Sequence, residues 1–185
     1  MIYYAGIGSR ETPQEVLSMF TALAEELAKK GAVLRSGRAG GADSAFETGC
    51  ARAGGESQIF IPWASFQKNS PLAGRPAYVF DRLQKEQQKR ALASIEKYHP
   101  APEKLSQGAR KLMARNYCQM FGPSTDAPAS SFVVCWTKDG RASGGTGQAI
   151  RMAGDAGIRV FNARGYESRP EEFMELVCNY ARTEK

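Results

Sequence analysis

Two periodicities alternate along the chain. Short apolar runs at Ile2 to Ile7, Ala32 to Ser36, Gln58 to Pro62, Ser131 to Trp136 and Ile158 to Asn162 have the length of buried strands. Between them, apolar residues recur at helical spacing. Val16, Met19, Phe20, Leu23, Ala24 and Leu27 mark a first helix. Thr12 as N-cap, Pro13 at the first position and Glu15 completing a capping box open it, and Lys29-Lys30-Gly31 closes it. Further helices are predicted over 42–53, ended by Gly54-Gly55, and over 106–121, stopped by Gly122-Pro123. Two more follow over 148–156, ended by Gly157, and over 170–180. Five strands alternating with helices predict right-handed crossovers and a mainly parallel sheet, an α/β fold. Residues 63 to 105 break the rhythm. They hold Pro71, Pro76, Pro100 and Pro102 and a polar helical stretch from Asp81 to Tyr98. They are read as an insertion over the sheet edge, serving as a lid or an oligomer contact. There are no internal repeats, and the 185 residues are expected to form one domain.

Three glycine-bearing stretches share a strand-before, helix-after setting: Gly6 to Arg10, Ser36 to Asp43, and Ser143 to Gly147. Loops of this kind on one parallel sheet meet at its carboxyl edge. In the central one, Ser36-Gly37-Arg38-Ala39-Gly40-Gly41-Ala42-Asp43, glycines let the backbone approach a ligand. Its free N–H groups and the following helix N-terminus favour an anion, most simply a phosphate.

Composition sharpens this in a few respects. The net charge of +6 suits a phosphate-bearing partner, although a merely basic surface explains it as well. Cys50, Cys118, Cys135 and Cys178 lie far apart with no CxxC, and His99 is the single histidine. That argues against a metal site and against a Ser-His-Asp set, and reduced, buried thiols are the simplest reading. No signal peptide, lipidation motif or long apolar span is visible, so a cytoplasmic protein with no membrane partner is expected.

Taken in order, the motifs resemble a known family. Gly8-Ser9-Arg10 follows the first strand, and Ser36-Gly37-x-Ala39-x-Gly41-Ala42-Asp43 follows the second. Arg115-Asn116 sits in a helix, and Ser143-Gly144-Gly145-x-x-Gln148-Ala149 follows the fourth strand. Together they resemble the signatures of the DNA-processing protein A (DprA/Smf) family, within the SLOG superfamily that also holds the lonely-guy (LOG) phosphoribohydrolases. The resemblance runs over residues 2 to about 162, apart from the insertion. It implies a Rossmann-like three-layer sandwich and signature loops that line a basic pocket for single-stranded DNA, with a recombinase as a possible partner. A lonely-guy enzyme would instead cleave a nucleotide N-glycosidic bond, using an Arg at the place of Arg115 and a Glu where this chain has Ile150. The second Arg of the family's helical motif is Tyr117 here, and the 185 residues are expected to hold the family's core without its flanking accessory domains. Other small members of the superfamily bind signalling nucleotides, so a sensor or a sequestering protein is a third expectation.

The candidate ligand-binding residues are therefore Gly8, Ser9, Arg10, Ser36, Gly37, Arg38, Ala39, Gly41, Asp43, Arg115, Asn116, Ser143, Gly144, Gly145, Thr146, Gly147 and Gln148. Arg10, Arg38 and Arg115 are either phosphate clamps or plain surface arginines. Ser9 and Ser36 either donate hydroxyls to a ligand or cap their loops. Asp43 either caps the second helix or holds a ribose hydroxyl. If the protein is an enzyme, Glu47, Asp43 and Arg115 are its catalytic candidates, since glycosidic cleavage needs a carboxylate near the anomeric carbon. The plainer expectation for Glu47 is a solvent-exposed helix residue. Trp63, Phe66, Tyr78, Tyr117 and Trp136 are candidates for base stacking, with core packing the better explanation of Trp136. No cofactor is expected, and a homodimer or higher homo-oligomer is compatible with the apolar surface of 106–121.

Overall fold

A computed structural model describes residues 1–142 and 144–184. Six parallel strands form one sheet: β1 (Tyr3–Gly6), β2 (Val33–Ser36), β3 (Ser57–Ile61), β4 (Ala77–Val79), β5 (Phe132–Cys135) and β6 (Arg159–Asn162). Their spatial order is β4-β3-β2-β1-β5-β6, so the chain builds outward from β1 in one direction and then returns to its other side. The register places Ala5 of β1 between Arg35 of β2 and Val133 of β5. The direction of winding reverses between β1 and β5. The loops leaving these two strands therefore diverge to opposite faces, and in open α/β sheets the crevice outside the carboxyl edge at such a point is where ligands bind.

The helices are α1 (Gln14–Lys29), α2 (Ala42–Arg52), α3 (Lys85–Tyr98), α4 (Gln107–Phe121), α5 (Gly144–Asp155) and α6 (Pro170–Thr183). One face of the sheet packs Tyr4, Leu34, Phe132 and Val134 against α1, α2 and α6. The other packs Ala5, Val133 and Cys135 against α4 and α5, and Phe60 against α3 and α4. Strand residues adjacent in sequence thus enter opposite cores, as the two-residue period requires. Cys50, Cys118 and Cys135 are buried thiols, Cys178 is half-buried, and none of the four is in a disulfide.

The structure corrects three expectations. First, residues 63–105 are not simply laid over the sheet edge: they contribute the edge strand β4 and the helix α3, whose Ala91 and Ile95 enter the core. Three residues behind Pro76 are too few to show an alternation, and an edge strand tolerates the proline. Second, Thr12 does not cap α1, which begins at Gln14 with no side-chain cap. The Thr12 hydroxyl donates instead to the Ser9 carbonyl at 2.7 Å, closing the turn after β1. Third, α5 begins at Gly144, four residues earlier than the apolar pattern indicated.

Two buried features set the geometry. Arg35, in the middle of β2, has no solvent exposure. Its Nε donates to Gln58 Oε1 at 2.8 Å, its Nη1 donates to the Met120 carbonyl and Ser130 Oγ, and its guanidinium lies over the Tyr3 ring. Burial lowers its pKa to about 10, still charged at neutral pH. Helices α1 and α2 meet at Gly49, where a Cβ would lie 2.0 Å from the Thr21 carbonyl oxygen. A Gly49→Ala protein must push α1 and α2 apart. The expected result is a loss of about 3 kcal/mol in denaturant unfolding, whereas a change near zero would mean that the two helices are not locked together here.

Candidate functional site

The loop after β2 is built around two buried carboxylates. Asp43, in the first turn of α2, accepts the N–H groups of Gly37 at 3.2 Å and Ala39 at 3.1 Å. Glu47, one turn further along the same helix face, accepts the Ser36 hydroxyl and the Arg38 N–H, both at 2.9 Å and both on Oε1. The N–H groups that the sequence offered for a phosphate are thus taken by this chain's own carboxylates. Glu47 is fully buried rather than exposed, which corrects the sequence expectation for it. Asp43 caps the loop rather than α2, whose N-cap position is Gly41.

The same loop sets the place of two arginines. Arg38 has a left-handed backbone, φ 58°, held by the Glu47 bond to its N–H. Its side chain is buried and turns away from the crevice, donating to the carbonyls of Leu72 and Arg75 and so bracing the segment after β3. Arg115 reaches over from α4. Its Nη1 donates to the Gly37 carbonyl, and its guanidinium sits 5.4 Å from the Phe66 ring centroid. A Cβ on Gly37 would meet that guanidinium at 2.8 Å, so only glycine lets Arg115 rest there.

Asn116, the next residue of α4, turns to the other loop. Its Nδ2 donates to the Gly145 carbonyl at 3.2 Å and to Gln148 Oε1 at 3.1 Å. Two adjacent residues of one helix therefore tie the loop after β2 to the start of α5. Gly144 and Gly145 are exposed at that start, Thr146 is half-exposed, and Gly147 and Gln148 are buried. Ser143, also a candidate, lies outside the described residues. Ile150 packs on the core of its face of the sheet.

The loop after β1 interlocks with the loop after β2. A Cβ on Gly8 would meet Cβ of Ala42 at 2.6 Å, and one on Gly41, at φ 76°, would meet the Ser9 carbonyl oxygen at 2.8 Å. Ser9 Oγ accepts the Glu11 N–H. Arg10 projects from the tip of this turn, exposed and with no ion-pair partner among the described residues.

The charges are mutually adjusted. Burial raises the pKa of Asp43, opposed by Arg115 and by the two loop N–H groups. Burial, then the neighbouring Asp43, raises Glu47 to about 7, opposed by the Ser36 and Ser70 hydroxyls and by Arg38. Burial lowers Arg115, opposed by Asp43 and Glu47. No group of three or more His, Cys, Asp or Glu side chains is placed to hold a metal among the described residues. No helix is long and apolar enough to cross a membrane, among the same residues. A concavity on the opposite, amino edge of the sheet, lined by Tyr3, Ser57, Gln58 and Tyr78, includes none of these loops. Its lining converges no glycine-loop N–H or helix N-terminus, so the carboxyl-edge crevice is the candidate site.

No family model and no curated protein matches the chain. Among solved structures, the X-ray structure of DNA processing protein A from Streptococcus pneumoniae aligns with a TM-score of 0.51 over 88% of this chain, at 18% identity. The chain has a DprA-like fold. It spans half the length of that structure.

Sequence reasoning missed Phe66 as the seat of Arg115 and Ser70 as a neighbour of Glu47. Both lie in the segment after β3, which carries no periodic signal. The buried Glu47 makes a pH-dependent prediction. Unfolded, it titrates near 4.5; folded, near 7. The folded state keeps a proton that the unfolded chain has already released, so this stabilising contribution is complete below pH 4.5 and is lost as pH rises through about 7. Glu47→Gln keeps the Oε1 acceptor and removes the charge. Its thermal midpoint is expected to exceed that of the parent above pH 7, by an equivalent of about 3 kcal/mol, with the two curves converging in acid. Parallel curves would show that Glu47 is not buried as described.

Proposed function

We propose that the carboxyl-edge crevice binds the sugar-phosphate backbone of single-stranded DNA, in a DNA-processing role. The observation that carries this reading is the Arg115 guanidinium, fixed between the loop after β2 and the Phe66 ring. Arg10 is exposed on the adjacent loop, with no ion-pair partner among the described residues, and Gly144 and Gly145 open a helix N-terminus on the third. A guanidinium beside backbone N–H groups at a helix start suits a phosphodiester. The switch point between β1 and β5 is where open α/β sheets take their ligands. The DprA-like fold and the net charge of +6 agree with a polyanionic partner. A recombinase that receives the bound strand belongs to the same reading. A free mononucleotide held as a signal is the alternative occupant of the same phosphate groups.

A hydrolytic reading, with Glu47 and Asp43 as carboxylates toward an N-glycosidic bond, is less well supported. Asp43 and Glu47 already serve loop N–H groups, and Glu47 has no solvent exposure.

The test is a titration of a labelled oligothymidylate and of mononucleotides at several salt concentrations, with free base followed in the same samples. Tight oligonucleotide binding that falls steeply with salt is expected. Arg115→Ala should weaken it about tenfold or more, the worth of one charge-assisted hydrogen bond. Gly37→Ala should weaken it as well, by displacing the guanidinium, with little change in melting temperature, because the displaced atoms are the end of a flexible side chain. Arg10→Ala should lower the salt slope by about one. Binding of mononucleotides alone, or release of base, would replace this reading with a sensor or an enzyme.

A further inference from the structure

We propose that Trp63 and Phe66 form a stacking subsite for one unpaired nucleobase at the edge of the Arg115 pocket. The inference rests on the binding reading above and adds to it the part of the ligand that is not phosphate.

Trp63 lies two residues past the carboxyl end of β3, on the strand neighbouring the one that leads into the glycine loop. It is 36% exposed, whereas the other tryptophan, Trp136, is buried with its indole N–H on Glu167. The indole of Trp63 thus keeps part of its surface free for a flat partner, an apolar body with a polar tip. It stands edge-to-face against Phe66, with centroids 5.5 Å apart and planes at 89°. Phe66 in turn carries the Arg115 guanidinium on its face. An unbroken row therefore runs from the pocket's cation, through one aromatic ring, to an exposed second ring. A nucleotide has the same order: phosphate, sugar, then a flat base.

The segment bearing these rings is held in place. The Phe66 N–H donates to the Trp63 carbonyl, and further turns close at Gln67–Ser70 and Ser70–Ala73. Arg38 grips the segment's far end through the Leu72 and Arg75 carbonyls. Leu72 and Phe66 also pack with Ile59 and Ile61 of β3. The glycine loop thus positions both the phosphate-facing guanidinium and, through Arg38, the aromatic segment. The flanking charges, Arg115 and the exposed Lys68, are cationic, which suits a nucleic acid better than an apolar peptide. Bases in a duplex have their faces covered, so the subsite selects single strands.

The experiment uses the full chain with two probes of equal length: an oligothymidylate and an oligomer of abasic deoxyribose phosphates. Affinity is read by anisotropy and stacking by tryptophan fluorescence, to which Trp63 contributes the exposed component. Oligothymidylate is expected to quench that component, and the abasic oligomer is not. Trp63→Ala should weaken oligothymidylate about tenfold while leaving abasic binding unchanged, and Trp63→Phe should recover most of the loss. Trp63→Leu, which keeps an apolar side chain against Phe66, should reduce the same preference if Trp63→Ala proves poorly folded. Equal losses for both oligomers, or tight oligothymidylate binding without quenching, would overturn the subsite and leave the phosphate reading standing. Failure of the parent protein to bind either oligomer would overturn both.

Discussion

Everything at the carboxyl edge depends on how the loop after β2 satisfies its own backbone. Asp43 and Glu47, one turn apart on α2, take the N–H groups of three consecutive residues, Gly37, Arg38 and Ala39. That arrangement forces Arg38 into a left-handed conformation and sends its side chain toward the segment after β3. It also turns the Gly37 carbonyl toward α4, where it receives Arg115. Two buried carboxylates one turn apart would repel each other if both were fully charged. Burial and the neighbouring Asp43 raise Glu47 to about 7, so it is about half protonated at pH 7, and the Arg115 charge offsets that of Asp43. The carboxylates act as internal struts, and of the three arginines around these loops Arg10 is the exposed one.

The topology then decides which loops can cooperate. Because β1 and β5 are neighbours and their following helices lie on opposite faces, the turns bearing Arg10 and Gly144 open away from each other. Helix α4 crosses behind them and places Arg115 and Asn116 against different loops. A helix of fifteen residues thus couples two loops that are 108 positions apart in the chain, at Gly37 and at Gly145, by way of one dipeptide. At that separation no local sequence signal links them.

Much of this was legible in sequence, and the failures have physical causes. The buried strands β1, β2, β3, β5 and β6 announce themselves because parallel strands covered on both faces read as apolar runs. The three loops were visible through their glycines, and the structure accounts for several of these by close approach, at Gly8, Gly37 and Gly41. Glu47 was not legible as a buried residue, because a carboxylate on a helix face looks solvated unless its partners are known, and they are a serine and a backbone N–H eleven and nine residues away. Arg35 was hidden in the same way: it sits in an apolar run, and its acceptors lie on Gln58, Met120 and Ser130. Strand β4 was lost because it is short and follows a proline. Local pattern carries elements well; it carries polar burial poorly, since that depends on partners brought by tertiary packing.

The central claim, that the carboxyl-edge crevice holds a single-stranded phosphodiester chain, is tested most directly by mapping. Backbone amide resonances of the isotopically labelled protein would be followed as a short oligothymidylate is added. The account predicts saturable shifts at Gly8 to Arg10 and at Gly144 to Thr146, together with the Arg115 side-chain Nε–H. Gly37 and Ala39, whose N–H groups are held by Asp43, should move less. Shifts confined to the amino-edge concavity around Tyr3 and Gln58, or no shifts at all, would contradict it.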